Sequence, residues 1–281
     1  MNYRHVFHAG NFADVVKHAA LARILVHLAE KPAAFRVIDV HAGAALYDLH
    51  GEEARRTAEW RGGIGRLQEA ALPAAARGLL APYLAAVARA NPEGGLRRYP
   101  GSPLIALALM RPQDRLVACE LEPRAAAALG RRLAADRRAK AIAIDGWQGL
   151  RAFIPPAERR GLVVIDPPFE DADEFAKLGP RLAEAVRKWA TGVYLVWYPV
   201  KGAAAAGFIR ALRSSGIGKM LRAELNLAAP EPGRLTGCGL VVVNPPWRLK
   251  DELGVLLPAL HSALGGAAGG VVRVEALADK I

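Results

Sequence analysis

Hydrophobic and polar positions along this chain change period several times, which predicts helices and strands in alternation. Between residues 13 and 29 the apolar positions recur every three to four residues, the spacing of an α-helix, and Lys31-Pro32 ends it. Beyond that helix, short β-branched runs alternate with further helical patterns, as in proteins with parallel sheets. The predicted strands span about residues 35–40, 116–120, 140–145, 162–166, 193–200, 219–227 and 239–244.

The last two predicted strands, 219–227 and 239–244, have no long helical pattern between them, so we expect them to pair antiparallel. The pattern therefore predicts an α/β, Rossmann-like sheet of about seven strands that is mostly parallel and has an antiparallel end. The glycine-rich stretch Gly265–Gly270 is expected to form a loop before a short tail.

Residues 48–100 differ from the rest of the chain. They are rich in Ala, Arg and Gly, show helical patterns around residues 52–61 and 74–90, and contain no good strand pattern. We interpret 48–100 as a helical insertion subdomain within one domain made of residues 1–47 and 101–281.

The composition of the chain indicates what kind of partner it binds. The 281 residues are 52% hydrophobic, and the net charge of +11 with a pI near 10 favours a polyanion such as a nucleic acid. No run approaches the ~18 apolar residues of a membrane helix, and the N-terminus does not read as a secretory signal, so we expect a cytoplasmic protein without membrane contact. The two cysteines lie in strand patterns and the seven histidines lack ligand spacing, so neither a disulfide nor a metal is expected.

Two strand patterns end in similar motifs, Asp166-Pro167-Pro168-Phe169 and Asn244-Pro245-Pro246-Trp247. Such a motif suits methyl transfer to a planar amino group, whose lone pair is delocalised. A side-chain oxygen and a Pro-Pro carbonyl can accept hydrogen bonds from both N–H groups and stabilise the charge that develops on the nitrogen. Proline stiffens the loop, and the aromatic ring can stack on a base taken out of its helix.

Four predicted strands end in an acid, namely Asp39, Glu120, Asp145 and Asp166. Each alone could cap the next helix, but ligands of open parallel sheets bind at the carboxyl ends of the strands, where all four would meet. Because Asp166 shares this rim and Asn244 does not, we expect the second motif to be a look-alike at the far end of the sheet. There it would support the target-base pocket or the sheet edge.

The glycine pattern at this rim argues for a ligand without phosphates. The first predicted strand is followed by His41-Ala42-Gly43, which lacks the G-x-G-x-x-G fingerprint of dinucleotide sites, and no phosphate-binding P-loop motif occurs. S-adenosylmethionine is such a ligand. Glu120 would then accept hydrogen bonds from the ribose hydroxyls of this cofactor, and Asp145 would accept one from its adenine amino group.

The chain also resembles the RlmJ family of bacterial 23S ribosomal RNA adenine-N6 methyltransferases, almost from end to end. The blocks that carry the resemblance are Tyr3-Arg4-His5-x-Phe7-His8-Ala9-Gly10-Asn11-x-Ala13-Asp14-Val15-x-Lys17-His18, Asp39-x-His41-Ala42-Gly43, Tyr99-Pro100-Gly101-Ser102-Pro103, Asp145-Gly146, Asp166-Pro167-Pro168-Phe169, Trp197-Tyr198-Pro199 and Asn244-Pro245-Pro246-Trp247. The resemblance implies a class I S-adenosylmethionine-dependent methyltransferase fold with a small helical insertion.

The resemblance also implies the roles of individual residues. It places catalysis at Asp166 and contact with substrate RNA at Tyr3. The predicted catalytic loop adds the Pro167 carbonyl, which accepts from the amine, and the Phe169 ring, which stacks on the substrate base. The cofactor site that it implies consists of His18, His41, Ser102, Glu120, Asp145, Gly146 and Asp166. Two positions depart from the family: Phe169 stands where Tyr is usual, and Ala45 where Gly is common.

The predicted function is methylation of the N6 amine of an adenine in 23S rRNA, with S-adenosylmethionine as methyl donor. Guanine-N2 methylation of rRNA and adenine-N6 methylation of DNA use similar loops and remain alternatives, as does a non-catalytic, basic RNA-binding module. We expect a monomer that acts on protein-free 23S rRNA or an early assembly state.

Overall fold

The computed structural model describes residues 4–171, 173–231 and 233–279, and its main sheet has eight strands. They are β1 (Arg36–Asp39), β4 (Arg115–Glu120), β5 (Ala139–Ala143), β6 (Gly161–Ile165), β7 (Val193–Pro199), β8 (Lys219–Asn226), β9 (Gly237–Val243) and β10 (Val271–Asp279). Their order is β10-β8-β9-β7-β6-β1-β4-β5. A separate antiparallel pair consists of β2 (Leu46–Asp48) and β3 (Arg98–Pro100).

Five neighbouring strands are parallel, and their carboxyl ends meet at one rim; in sheet order they are β7, β6, β1, β4 and β5. β9 runs antiparallel between β7 and β8, and β10 pairs antiparallel with β8. This is the Rossmann-like, mostly parallel sheet with an antiparallel end that the sequence predicted, with one strand more. The prediction of about seven strands was wrong because it assigned 271–279 to a short tail: β10 is a partly exposed edge strand, and the glycine-rich stretch before it hides its pattern.

Helices cover both faces of the sheet. One face carries α1 (Phe12–Ala29), α4 (Ala74–Arg89), α5 (Ser102–Leu109), α6 (Pro123–Leu133) and α10 (Leu249–Ala263). The other carries α7 (Gly146–Phe153), α8 (Glu174–Lys188) and α9 (Gly202–Arg213). Within the described ranges, no helix combines the length and the hydrophobicity that a membrane span requires.

α1 is the central helix of the fold. It packs against α4, α5, α10 and β9, so nearly all of its residues are buried and it has no polar face. The Asn11 side chain caps its N-terminus by accepting a hydrogen bond of 3.0 Å from the Asp14 amide. Polar residues inside α1 therefore have to find partners within the protein.

The segment between β2 and β3 contains α2 (Glu52–Thr57), a π-helical turn at Arg61–Gly65, α3 (Arg66–Glu69) and α4. The helices lie where the sequence predicted them, but the prediction of no strand within 48–100 was wrong, because β3 pairs with β2 at the base of the segment. Leu80 and Tyr83 of α4 are fully buried in the core that α1 also shares. The division into an insertion and a main domain stays a prediction.

The second Pro-Pro motif lies at the rim opposite Asp166, because β9 runs antiparallel to β6 and β7. The Asn244 side chain donates hydrogen bonds to the carbonyls of Ala190 (2.8 Å) and Gly192 (2.7 Å), in the turn before β7. The sequence suggested that this motif supports the target-base pocket or the sheet edge. That prediction was wrong, because β9 is an internal strand and the motif lies at the rim away from the cleft. Asn244 instead fixes a turn.

Candidate active site

A cleft of about 1290 Å³ opens at the carboxyl ends of the parallel strands. Its lining includes every described residue that the sequence predicted for the site: His18, His41, Ser102, Glu120, Asp145, Gly146, Asp166, Pro167 and Phe169. Tyr3 lies outside the described residues. The structure thus brings the candidates together, and their individual roles remain predictions.

Asp166 forms an ion pair with a lysine that the sequence did not single out as a site residue. Lys17, on α1, donates to Asp166 Oδ2 and lies 2.8 Å from Asp14 Oδ1. Asp14 Oδ2 also accepts hydrogen bonds from His5 Nε2 (3.0 Å) and the Gly10 amide (2.9 Å). One buried ammonium thus joins the N-terminal segment to the loop after β6.

The electrostatics of this group follow from burial and opposite charge. Burial alone would raise the pKa of the Asp14 carboxyl, but Lys17 and His5 outweigh it and hold that pKa well below its usual range. Burial likewise opposes the charged form of Lys17, yet Asp14 and Asp166 raise its pKa well above the ordinary value. The lysine is therefore a fixed cation beside Asp166. In the sequence, Lys17 stood three residues after Asp14 in the N-terminal block that carries the family resemblance, but no role was assigned to it.

His41 holds the backbone at the start of the same loop. Its Nδ1 accepts a hydrogen bond of 3.3 Å from the Asp166 amide, and burial lowers the pKa of the ring to about 4. The imidazole is therefore neutral near pH 7, with its proton on Nε2. Its edge packs on Trp147 at 5.4 Å, and a Cβ at Gly146 would overlap the His41 ring and the Val40 carbonyl, so only glycine fits there.

Glu120 closes the turn after β1. Its two oxygens accept hydrogen bonds from the amides of Gly43 and Glu122, each at 2.8 Å. Gly43 and Ala45 both have positive φ (61° and 66°), and at Ala45, where the family commonly has glycine, this conformation costs about 1 kcal/mol. A carboxylate offers about four lone-pair positions, so Glu120 retains capacity for ligand hydroxyls.

Two other predicted cofactor residues have protein partners as well. Asp145 Oδ1 accepts from the Gln148 amide (3.0 Å) and caps α7, which is the alternative role considered for each rim acid. His18 Nδ1 bonds the Tyr99 hydroxyl at 2.7 Å, and burial lowers the pKa of this histidine to about 3. Within the described structure, its Nε2 is buried without a hydrogen-bond partner, so this atom is left to bind a ligand.

Phe169 forms an aromatic wall on one side of the cleft. Its backbone is left-handed (φ 51°), unusual for a bulky residue, and places its ring 4.8 Å from Phe175 and 5.6 Å from Trp197, between centroids. Such strain is typical of functional loops. The ring lies three residues after Asp166, so a flat substrate held by one can contact the other.

Asp39, the fourth rim acid, is buried beneath the cleft, where burial raises its pKa to about 6 even though Ser102 and the His41 amide favour the anion. The folded protein therefore holds a proton here that the unfolded chain, with a pKa of 3.8, gives up earlier. The contribution of Asp39 to the free energy of unfolding should fall as pH rises from about 4 to about 6.

We expect Asp39→Asn to gain stability relative to the parent over that interval, measured by urea unfolding at both pH values. Parallel pH profiles for the two proteins would contradict this.

Comparison with known proteins gives the family. A family profile described as "Ribosomal RNA large subunit methyltransferase D, RlmJ" matches residues 32–277. The chain is 42% identical over 278 residues to "Ribosomal RNA large subunit methyltransferase J" of Escherichia coli (strain K12), covering 98% of each chain. It is 38% identical over 279 residues to the protein of the same name from Haemophilus influenzae (strain ATCC 51907 / DSM 11121 / KW20 / Rd), again covering 98% of each.

A solved structure agrees with this. The crystal structure of protein LPL1258 from Legionella pneumophila str. Philadelphia 1 superposes with a TM-score of 0.88 at 34% identity, covering 97% of this chain and 99% of that one. The sheet order, the rim residues and these relatives lead to one conclusion: the chain belongs to the RlmJ family of ribosomal RNA large subunit methyltransferases.

Proposed function

We propose that this protein transfers a methyl group from S-adenosylmethionine to the N6 amine of an adenine in 23S rRNA. The observation that carries the proposal is the loop Asp166–Phe169, which presents a carboxylate, a Pro-Pro backbone and an aromatic ring at the carboxyl end of β6, inside the cleft. The names of the relatives support rRNA of the large subunit as substrate.

The cleft suits a cationic, phosphate-free cofactor. Ten carboxylates and six Lys or Arg residues line it, an acidic balance that favours a sulfonium ion and disfavours a pyrophosphate. Gly43, Gly146 and His18 all line the cleft, and His18 Nε2 is a buried polar atom with no hydrogen-bond partner in the described structure. We propose that His18, His41, Ser102, Glu120, Asp145, Gly146 and Asp166 hold S-adenosylmethionine, which supplies an electrophilic methyl group.

In the proposed mechanism the protein acts by positioning and by hydrogen bonding. Lys17 occupies Asp166 Oδ2, so Oδ1 and the Pro167 carbonyl are left to accept from the two N–H groups of the target amine. These contacts turn the nitrogen lone pair toward the methyl donor and stabilise the positive charge that develops on attack. The N–C bond would form as the C–S bond breaks and S-adenosylhomocysteine leaves, and the nitrogen would then lose its extra proton to water. Phe169 stacks on the base, which must be unpaired or flipped for its amine to be reached.

Phe169→Ala is expected to raise the KM for rRNA and lower kcat, because the base loses its stacking surface. Base–aromatic stacking is worth about 1–3 kcal/mol, so kcat/KM should fall by about 5- to 150-fold. Steady-state methyl transfer with 23S rRNA measures the effect. Phe169→Tyr, which restores the usual family residue, is the matched control and should keep parental kinetics; equal losses in both variants would refute the stacking role.

The reaction itself is tested by incubating protein-free 23S rRNA with the protein and S-adenosylmethionine, digesting the RNA and analysing the nucleosides by mass spectrometry. We expect N6-methyladenosine. N2-methylguanosine would assign the guanine alternative, methylation of DNA alone would assign the DNA alternative, and failure to bind S-adenosylmethionine in calorimetry would indicate a non-catalytic RNA-binding module. Assembled large subunits, tested in parallel, should react more slowly than protein-free RNA or early assembly particles.

Three further points belong to the proposal. Tyr3 contacts the RNA substrate, since it directly precedes Arg4, His5 and Val6, which line the cleft. Residues 1–47 and 101–281 form the methyltransferase domain, and 48–100 form an inserted helical subdomain. The protein works as a monomer in the cytoplasm.

A further inference from the structure

The cleft lining and the whole chain carry net charges of opposite sign. The chain has a net charge of +11, yet carboxylates outnumber Lys and Arg in the cleft lining by ten to six. An RNA strand is a polyanion whose binding depends on neutralising its phosphates. The cleft can receive one uncharged base, but the phosphates on either side of that base require a cationic surface outside it.

One group of residues at the edge of the cleft has this character, and we name it the Arg4–Phe7–Arg56 cluster. The guanidinium carbons of Arg4 and Arg56 each lie 5.6 Å from the centroid of the Phe7 ring. Arg4 also lines the cleft, so the cluster is continuous with its mouth. Both arginine side chains are exposed and Phe7 is half-buried.

Local structure fixes the cluster before any ligand binds. The Thr57 hydroxyl donates to the Phe7 carbonyl, which attaches the N-terminal segment to the end of α2. The Ile64 amide donates to the Gly10 carbonyl at 2.8 Å, which also attaches the N-terminal segment to the π-helical turn that follows α2. Contact with the ring face limits the freedom of both guanidinium groups, so less entropy is lost when they bind an anion.

The two arginines differ in their ion pairs. Arg4 is paired with Glu53 at 2.9 Å, whereas Arg56 has no ion pair or hydrogen bond to a side chain in the part of the chain that the structure describes. A guanidinium that is pre-oriented, exposed and unneutralised is suited to phosphate, which it can bind through two parallel N–H groups.

We propose that the Arg4–Phe7–Arg56 cluster binds phosphates of the rRNA nucleotides that flank the target base, with Arg56 as the principal contact. This inference rests on the proposed function, because it takes the RNA whose base enters the cleft as the ligand. It assigns the end of α2 a role in substrate binding, separate from the chemistry at Asp166. The cluster contributes affinity and orientation, and the cleft contributes base selection.

The test compares Arg56→Gln with Arg187→Gln. Arg187 is also exposed and without an ion pair in the described structure, but it lies in the last turn of α8, at the rim opposite the cleft. Binding of protein-free 23S rRNA is measured by filter binding at several salt concentrations with excess tRNA as competitor, and no turnover is needed. Arg56→Gln should bind about tenfold more weakly, with the slope of log K against log salt reduced by about 0.7–0.9.

Arg187→Gln should bind like the parent protein, and both variants should keep the parental melting temperature and S-adenosylmethionine affinity. Equal losses in the two variants, or no loss in Arg56→Gln, would overturn the proposal. Phe7→Leu removes the ring and keeps both charges, so it should weaken binding less than Arg56→Gln does. If the Arg56 effect appears but no methylated nucleoside is formed, the proposed reaction fails and the docking surface stands; if methylation proceeds without an Arg56 effect, the reverse holds.

Discussion

Asp166→Ala is expected to lower kcat for methyl transfer to 23S rRNA by about 10²- to 10³-fold, the cost of removing a preorganised polar group that stabilises transition-state charge. Without the carboxylate, the amine keeps only the Pro167 carbonyl as acceptor, and its lone pair stays in the ring system. Single-turnover assays with saturating S-adenosylmethionine measure the chemical step directly. Retention of parental turnover would remove Asp166 from the catalytic role.

The chain provides its own matched control in the second Pro-Pro motif. Asn244→Ala should leave kcat unchanged and lower the free energy of unfolding by about 1–3 kcal/mol, since the carbonyls of Ala190 and Gly192 lose their donor. Each replacement shortens the polar residue before Pro-Pro to alanine, and only one lies at the cleft. A loss of turnover in a folded Asn244→Ala protein would contradict the separation of the two motifs.

The second large effect is expected at Lys17. Lys17→Met leaves Asp14 and Asp166 without their shared cation, and breaking a buried ion pair by removing one partner costs about 3–5 kcal/mol. Turnover should fall as well, because Asp166 loses the contact that orients its second oxygen. Urea unfolding and single-turnover kinetics measure the two effects separately.

The double variant Asp14→Asn/Lys17→Met distinguishes stability from chemistry. Neutralising Asp14 removes the uncompensated buried charge, so most of the lost stability should return, while turnover should stay low because Asp166 still lacks Lys17. Recovery of turnover along with stability would mean that Lys17 acts on the fold alone.

The rim acids could be predicted from the sequence because the carboxyl ends of parallel strands lie together whatever the strand order is. Lys17 could not be found in this way. It lies 149 residues before Asp166, and nothing in a helical pattern says which strand end its side chain reaches. The sequence did separate Asn244 from the rim of Asp166. It could not show that β9 is an internal strand, or that the Asn244 side chain bonds the turn before β7.

β10 and Asp145 show two other limits of prediction from the sequence. An edge strand that is half exposed gives a weak hydrophobic pattern, and β10 is identified by its antiparallel pairing with β8. Asp145 was predicted as a ligand residue, yet one of its oxygens caps α7. Sequence alone does not choose between these roles, because a cap and a rim ligand occupy the same position after a strand.

The burial of α1 on all sides has a consequence for the order of folding during synthesis. Its partners α4, α5, β9 and α10 are spread over residues 74–263, so α1 leaves the ribosome well before the elements that complete its contacts. At about 5–20 residues per second, translation needs about 10–50 s between α1 and the end of α10. Through that interval an apolar helix carries an incomplete set of neighbours, so its hydrophobic side chains stay exposed to aggregation until α10 has been synthesised.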